Sequence, residues 1–134
     1  MTLTPDVYTL ASLGLTTALA ASAQTPITGL AGMSSVTLEV SFSYGSGGAT
    51  CAAVVQTSFD GGTTWRDIAR FDFTTESAVK YANLRTNDSR DVMPYEALNH
   101  DGINDCILGD RLRAVVTSTG TYATTTLAVR ASVR

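Results

Sequence analysis

Residues Val36–Tyr44 read VTLEVSFSY, in which apolar Val36, Leu38, Val40, Phe42 and Tyr44 alternate without a fault with Thr37, Glu39, Ser41 and Ser43. A strict period of two puts one set of side chains on each face, the mark of a half-buried β-strand. After the turn residues GSGG (Gly45–Gly48), TCAAVVQTS (Thr50–Ser58) resumes as a second strand, and the pair predicts a hairpin. Asp60-Gly61-Gly62 supplies a further turn, followed by a strand with Trp65, Ala69, Phe71 and Phe73 on one face and Arg66, Ile68, Arg70 and Asp72 on the other.

A short strand is expected over Ala78–Leu84, after which the pattern dissolves between Arg85 and Gly109 into a stretch rich in Asn, Asp and Gly. A loop of that length in a compact domain is a functional or mobile element. Alternation returns with Leu112, Ala114 and Val116. Ser118–Thr121 then turns the chain into a last strand with Ala123, Thr125, Leu127, Val129, Ala131 and Val133 as its inner row and Tyr122 in its outer row. Frequent turns, high Thr and Val content and the lack of an amphipathic helix predict an all-β fold, a single antiparallel β-sandwich or jelly-roll-like domain. Residues 34–134 are expected to form the sandwich and residues 1–33 an N-terminal arm or edge strands. Pro26–Gly32 could add a strand, and Thr4–Leu15 could be an extended arm or a short helix. The weak periodicity of the first segment predicts that Thr2–Leu15 contacts a neighbouring subunit or a larger assembly, with the part from Ser34 onward folding alone.

SFDGGTTW (Ser58–Trp65) matches the Asp-box of sialidase-type β-propellers, S-x-D-x-G-x-T-W. A propeller needs at least four blades of roughly 40–50 residues. The chain has 134 residues and no second copy of the motif, so the propeller is excluded. The motif then marks architecture: Asp60 can accept hydrogen bonds from the amides of its own turn, and Trp65, in phase with apolar residues, is expected to cover the turn from the core side.

The net charge of -3 gives no basic surface for nucleic acid. Up to Phe59 the only charged side chains are Asp6 and Glu39, which predicts either surface that is covered in the working state or a Ser/Thr-rich surface that is soluble without charge. Leu10–Ala23 resembles a signal-peptide core but is preceded by Asp6 and by no Lys or Arg, and its Thr and Ser residues interrupt it too often for a membrane helix. A chain made in the cytoplasm, with no membrane partner, is expected. Cys51 and Cys106 lack metal-site spacing and are expected as two buried free thiols.

His100 is the only histidine, and no nucleophile setting such as G-x-S-x-G accompanies it. Asn99–Asp105 concentrates oxygen ligands but lacks the order of a calcium loop. No catalytic, cofactor-binding or metal-binding residue is therefore assigned, and the chain is not expected to be an enzyme.

VVQTSFDGGTTWRDIARFDFTT (Val54–Thr75) and LGDRLRAVVTSTGTYATTTLAVRASVR (Leu108–Arg134) together resemble small structural proteins of tailed bacteriophages and prophages. TPITGLAGMSSVTLEVSFSYGSGG (Thr25–Gly48) is similar in style to the same proteins. The resemblance implies a virion component made in the host cytoplasm, a head decoration or cement protein bound to the major capsid protein, and a homo-oligomer, commonly a trimer. It transfers no site residues. A neck, tail or fibre position is the alternative within the virion. A carbohydrate-binding β-sandwich module is the alternative outside it, with Trp65 and the tyrosines as stacking candidates.

Overall fold

A computed structural model describes residues 3–134; Met1 and Thr2, where the expected N-terminal arm begins, lie outside the described residues. The strands are β1 (Asp6–Leu15), β2 (Ser22–Ala23), β3 (Ile27–Thr28), β4 (Ser35–Ser43), β5 (Ser46–Gly47), β6 (Thr50–Ser58), β7 (Arg66–Phe73), β8 (Ala78–Arg85), β9 (Gly102–Ile103), β10 (Arg111–Thr119), β11 (Tyr122–Ala123) and β12 (Thr125–Val133). Sheet one runs β1-β12-β4-β8, sheet two runs β2-β10-β6-β7-β9 with β3 also on β10, and β5 pairs β11. The fold is all-β, antiparallel and layered as a sandwich.

The alternation of β4 becomes the centre of the core: Val36, Leu38, Val40 and Phe42 are at most 1% exposed. They face Ala53, Val55, Ala69, Phe71, Leu112, Ala114 and Val116 of the other sheet within one apolar cluster. Burying each Val, Leu or Phe contributes about 1.5–3 kcal/mol relative to leaving it in water. The inner row of β12, Thr125, Leu127, Val129, Ala131 and Val133, closes sheet one from the middle.

Residues 6–15 take the edge-strand form. β1 pairs β12 along its length, and Leu10, Ala11 and Leu15 enter the same core as the later strands. Residues 26–32 contribute only β3, a two-residue strand. β8 extends one residue beyond the stretch expected for it.

Three expectations are corrected. β4 and β6 do not form a hairpin: β4 pairs β12 and β8, whereas β6 pairs β10 and β7 in the opposite sheet. A half-buried strand has the same period whether its neighbour in sequence lies beside it or across the core, so alternation alone cannot tell the two apart. Gly45–Gly48 carries the chain across the end of the sandwich, and Gly120–Thr124, after β10 has run on through Ser118 and Thr119, carries it back. The two crossings meet as the β5·β11 pair, Gly47 opposite Tyr122. Gly48 has φ +69, and a Cβ there would lie 2.3 Å from the Tyr122 ring, so only glycine fits this crossing.

Second, Tyr122 is an inner residue, 2% exposed, and Ala123 an outer one. Thr124 takes a left-handed φ of 49°, which breaks the phase ahead of β12. The tyrosine then seals the end of the core edge-on against Phe42 at 5.7 Å, and its hydroxyl donates to the Thr74 carbonyl at 2.7 Å.

Third, Trp65 is not a core residue. The pairing of β6 with β7 shifts between Val55 and Gln56, leaving Ile68 as an extra, buried residue of β7. A bulge reverses the phase of the strand beyond it. Ala69, Phe71 and Phe73 point inward, and Trp65 lies half-buried on the outer face of sheet two.

Candidate functional site

The Asp-box hairpin is closed by its own side chains. The Ser58 hydroxyl accepts the Gly62 amide at 2.9 Å and donates to Asp60 Oδ1 at 2.9 Å. Asp60 also accepts the Thr64 amide at 2.8 Å and the Thr64 hydroxyl at 2.6 Å. Gly61 and Gly62 adopt φ of 75° and 93°, which bends the backbone round the carboxylate. The hydrogen bonds from Thr64, the side chain first, hold the Asp60 carboxyl down at about 2, against an ordinary value of 3.8. A carboxylate so engaged is part of a turn and a poor base.

Trp65 Nε1 donates to the Gly62 carbonyl at 3.0 Å, so the indole covers the turn from the solvent face of the sheet. The Arg113 guanidinium lies 4.3 Å from the ring centroid. Arg113 then donates to Gln56 Oε1 at 2.9 Å, and Gln56 Nε2 donates to Asp67 Oδ1 at 2.8 Å, which makes a polar row across β10, β6 and β7. Burial lowers the pKa of Arg113 from its ordinary value. Asp67 is the one buried charged residue among those described. Its second oxygen accepts the Leu98 amide at 3.0 Å, and its own amide donates to the Tyr95 hydroxyl at 2.8 Å. This row fastens the 86–110 segment to sheet two.

The oxygen-rich stretch 99–105 is spent in the same way. Asp101 accepts the Asp72 amide at 2.9 Å and Lys80 Nζ at 2.9 Å, while Asp105 accepts the Arg85 amide at 3.0 Å. Burial works against the charged form of Asp101, but the Asp72 amide, Lys80 and Arg70 outweigh it and keep the pKa below the ordinary carboxylate range. Among the described residues no group of three or more His, Cys, Asp or Glu side chains is placed to hold a metal ion. His100 is exposed. A hollow of about 580 Å³ lies within the 86–110 segment itself, walled by Val92, Met93, Tyr95 and Ile107. Its cation, Arg90, is turned onto the Asp105 carbonyl.

Both cysteines are free. Cys51 is buried in β6, and burial first, then Asp72, pushes its thiol up to about 11. Cys106, expected to be buried as well, is only half-buried, because it sits in the 86–110 segment at a left-handed φ of 66°.

The outer face of sheet one is different in kind. Reading across β1, β12, β4 and β8, one row is Thr9, Arg130, Glu39 and Tyr81, with Val7, Ser132, Thr37 and Asn83 on one side and Ser12, Ala128, Ser41 and Val79 on the other. Glu39 is held by Arg130 at 3.4 Å and accepts the Tyr81 hydroxyl at 2.8 Å. That bond, donated to a carboxylate, raises the Tyr81 pKa above its ordinary value. Val7, Val79 and Tyr81 remain 57%, 54% and 65% exposed. The face is broad; beyond the central Glu39–Arg130 pair its charges lie at one end, where Arg134 donates to Thr37 at 3.1 Å and to Ser132 at 3.1 Å and Arg85 pairs with Asp88 at 2.8 Å. The alternation of β4 predicts an outer row of small polar residues, but which strands flank it is not visible until the register is known. No protein family, curated protein or solved structure matches the chain.

Proposed function

We propose that the chain is a structural component of a phage virion, a decoration protein that lies on the outer surface of the head and binds the major capsid protein, with no catalytic role. The observation that carries this reading is the outer face of sheet one, four long strands wide and built mainly of Ser, Thr, Ala and Val, with Glu39 and Arg130 paired at its centre and the charges of Arg134 and Arg85 confined to one end. Such a surface suits apposition to another broad surface, with burial of Val7, Val79 and Tyr81 as its driving force. The resemblance of the SFDGGTTW hairpin and the last strands to phage structural proteins supplies the partner.

The test is binding to heads of the phage or prophage that encodes the chain, followed by cryo-electron microscopy. Density at regular positions on the capsid lattice is expected, and Val79→Lys with Ser41→Lys should abolish occupancy while leaving the melting temperature unchanged. Density confined to the neck, tail or fibres, or no binding to any virion part, would overturn the decoration reading.

One observation favours carbohydrate binding as the second reading: Tyr81 presents an exposed ring beside Glu39 and Arg130. Trp65 does not serve it, because the Arg113 guanidinium lies over its ring. Glycan-array binding lost on Tyr81→Ala would support that reading against the first.

A further inference from the structure

We propose that the free edge of β1 pairs antiparallel with β1 of a second copy of this chain, joining two copies of sheet one into a continuous sheet across a twofold axis. The two sheets end in four edges, and three are blunted. β7 is capped by β9. The outer side of β10 is occupied by β2 and β3, each two residues long, with Pro26 between them. β8 has Lys80 fixed to Asp101 and to the Asp72 carbonyl, and its end is tied by the Arg85 amide to Asp105. Short strands, proline and lysine are the ordinary protections of a sheet edge.

β1 has none of them. It is ten residues long, contains no Pro, Lys or Arg, and carries one charge, Asp6, at its first residue. Among the described residues no main-chain hydrogen bond reaches β1 from any strand but β12. Tyr8 and Leu13 pack against the core yet stay only partly buried at this edge.

The occupant is specified by the phase of the strand. Residues directly opposite in an antiparallel pair share a face. The register shift between Thr9 and Ala11 places Val7, Thr9, Ser12 and Gly14 outward, and Tyr8, Leu10, Ala11, Leu13 and Leu15 inward. A twofold axis between Leu10 and Ala11 then sets Thr9 opposite the partner's Ser12, Val7 opposite the partner's Gly14 and Tyr8 opposite the partner's Leu13. From Val7 to Gly14 every outer residue meets an outer one and every inner residue an inner one, with Leu15 opposite the partner's Asp6 at each end of the seam, so the bulge makes the body of the strand complementary to itself. The two Asp6 carboxylates fall at opposite ends of the seam, about 30 Å apart at the rise of a β-strand, where salt screens their repulsion. The contact is isologous, as a twofold requires.

The dimer stands independently of the capsid role, and the full chain by itself tests it. Sedimentation equilibrium should show a concentration-dependent dimer, and amide exchange over residues 6–15 should slow as the dimer forms. Thr9→Lys with Ser12→Lys gathers four lysines beside the axis and should weaken dimerisation at least about tenfold. Gly14→Lys is the fold-safe companion, since a Cβ at Gly14 meets nothing within 4 Å, and it should act in the same direction with an unchanged melting temperature. A monomer at all concentrations, a trimer, or a dimer indifferent to Gly14→Lys would each overturn the proposal. So would a monomer whose binding to phage heads is lost on Gly14→Lys, which would give the edge to a strand of the capsid protein.

Discussion

The Asp-box turn and the 86–110 segment both connect strands with polar residues, glycine and aspartate, yet they are held in opposite ways. In the turn every side-chain bond from Ser58 and Asp60 joins residues two to four apart in sequence. In the long segment the anchors from Leu98, Asn104, Asp101 and Asp105 reach residues 20 to 37 positions away. One loop carries its side-chain fastenings within itself, with one further bond from Arg111 to the Gly61 carbonyl at 3.0 Å; the other borrows them from β7 and β8. A local device tolerates changes elsewhere in the fold, whereas a borrowed one depends on the sheet beneath it.

The largest effect is expected from Asp67→Ala, which removes the buried acceptor of the Leu98 amide and of Gln56. Hydrogen bonds to a charged group contribute about 1.5–3 kcal/mol, and the buried donors left behind add to the loss, so a destabilisation of about 2–3 kcal/mol in chemical denaturation is expected. New protease cleavage should appear between residues 86 and 100 and none at the Asp-box turn. A segment that stays resistant would show that Asp101 and Lys80 hold it unaided.

Trp65→Ala should cost less, about 1–2 kcal/mol, because the half-buried indole loses one hydrogen bond and the stacked Arg113 while the core stays full. A loss of about 4 kcal/mol, the size of an aromatic removed from a core, would return Trp65 to the interior.

The smallest effect separates the two regions by pH. The folded-state pKa of Asp60, about 2, lies below the ordinary 3.8, so the unfolded chain takes up this proton first as pH falls. The stabilisation is therefore complete above pH 3.8 and disappears as pH drops through about 2. Asp60→Asn should flatten that acid limb in melting curves recorded from pH 5 downward, and leave the protease resistance of residues 86–110 unchanged. An acid limb identical in both proteins would mean that the turn contributes no pH-linked stability.

The Asp-box turn was legible in SFDGGTTW because its donors and acceptors are neighbours in the chain. The Asp67 row was not, since Gln56, Asp67 and Arg113 lie on three strands, and strict alternation sets Asp67 in the inward row of Trp65, Ala69, Phe71 and Phe73. The only trace in the sequence is the Trp65–Phe73 stretch, where one inserted residue, Ile68, is buried out of phase.

Alternation in β4, β6, β10 and β12 was sufficient to dictate strands and an apolar inner row, because side-chain direction along a strand is a local consequence of the pleat. The same rule is silent about which strand lies beside which. That β4 and β6 face each other across the core, that the bulge turns Trp65 outward, and that, among the described residues, three sheet edges are blunted while β1 stays open were settled by the packing of distant segments. Pairing partners are chosen by the burial of whole faces, and a face exists only once the sheets have formed.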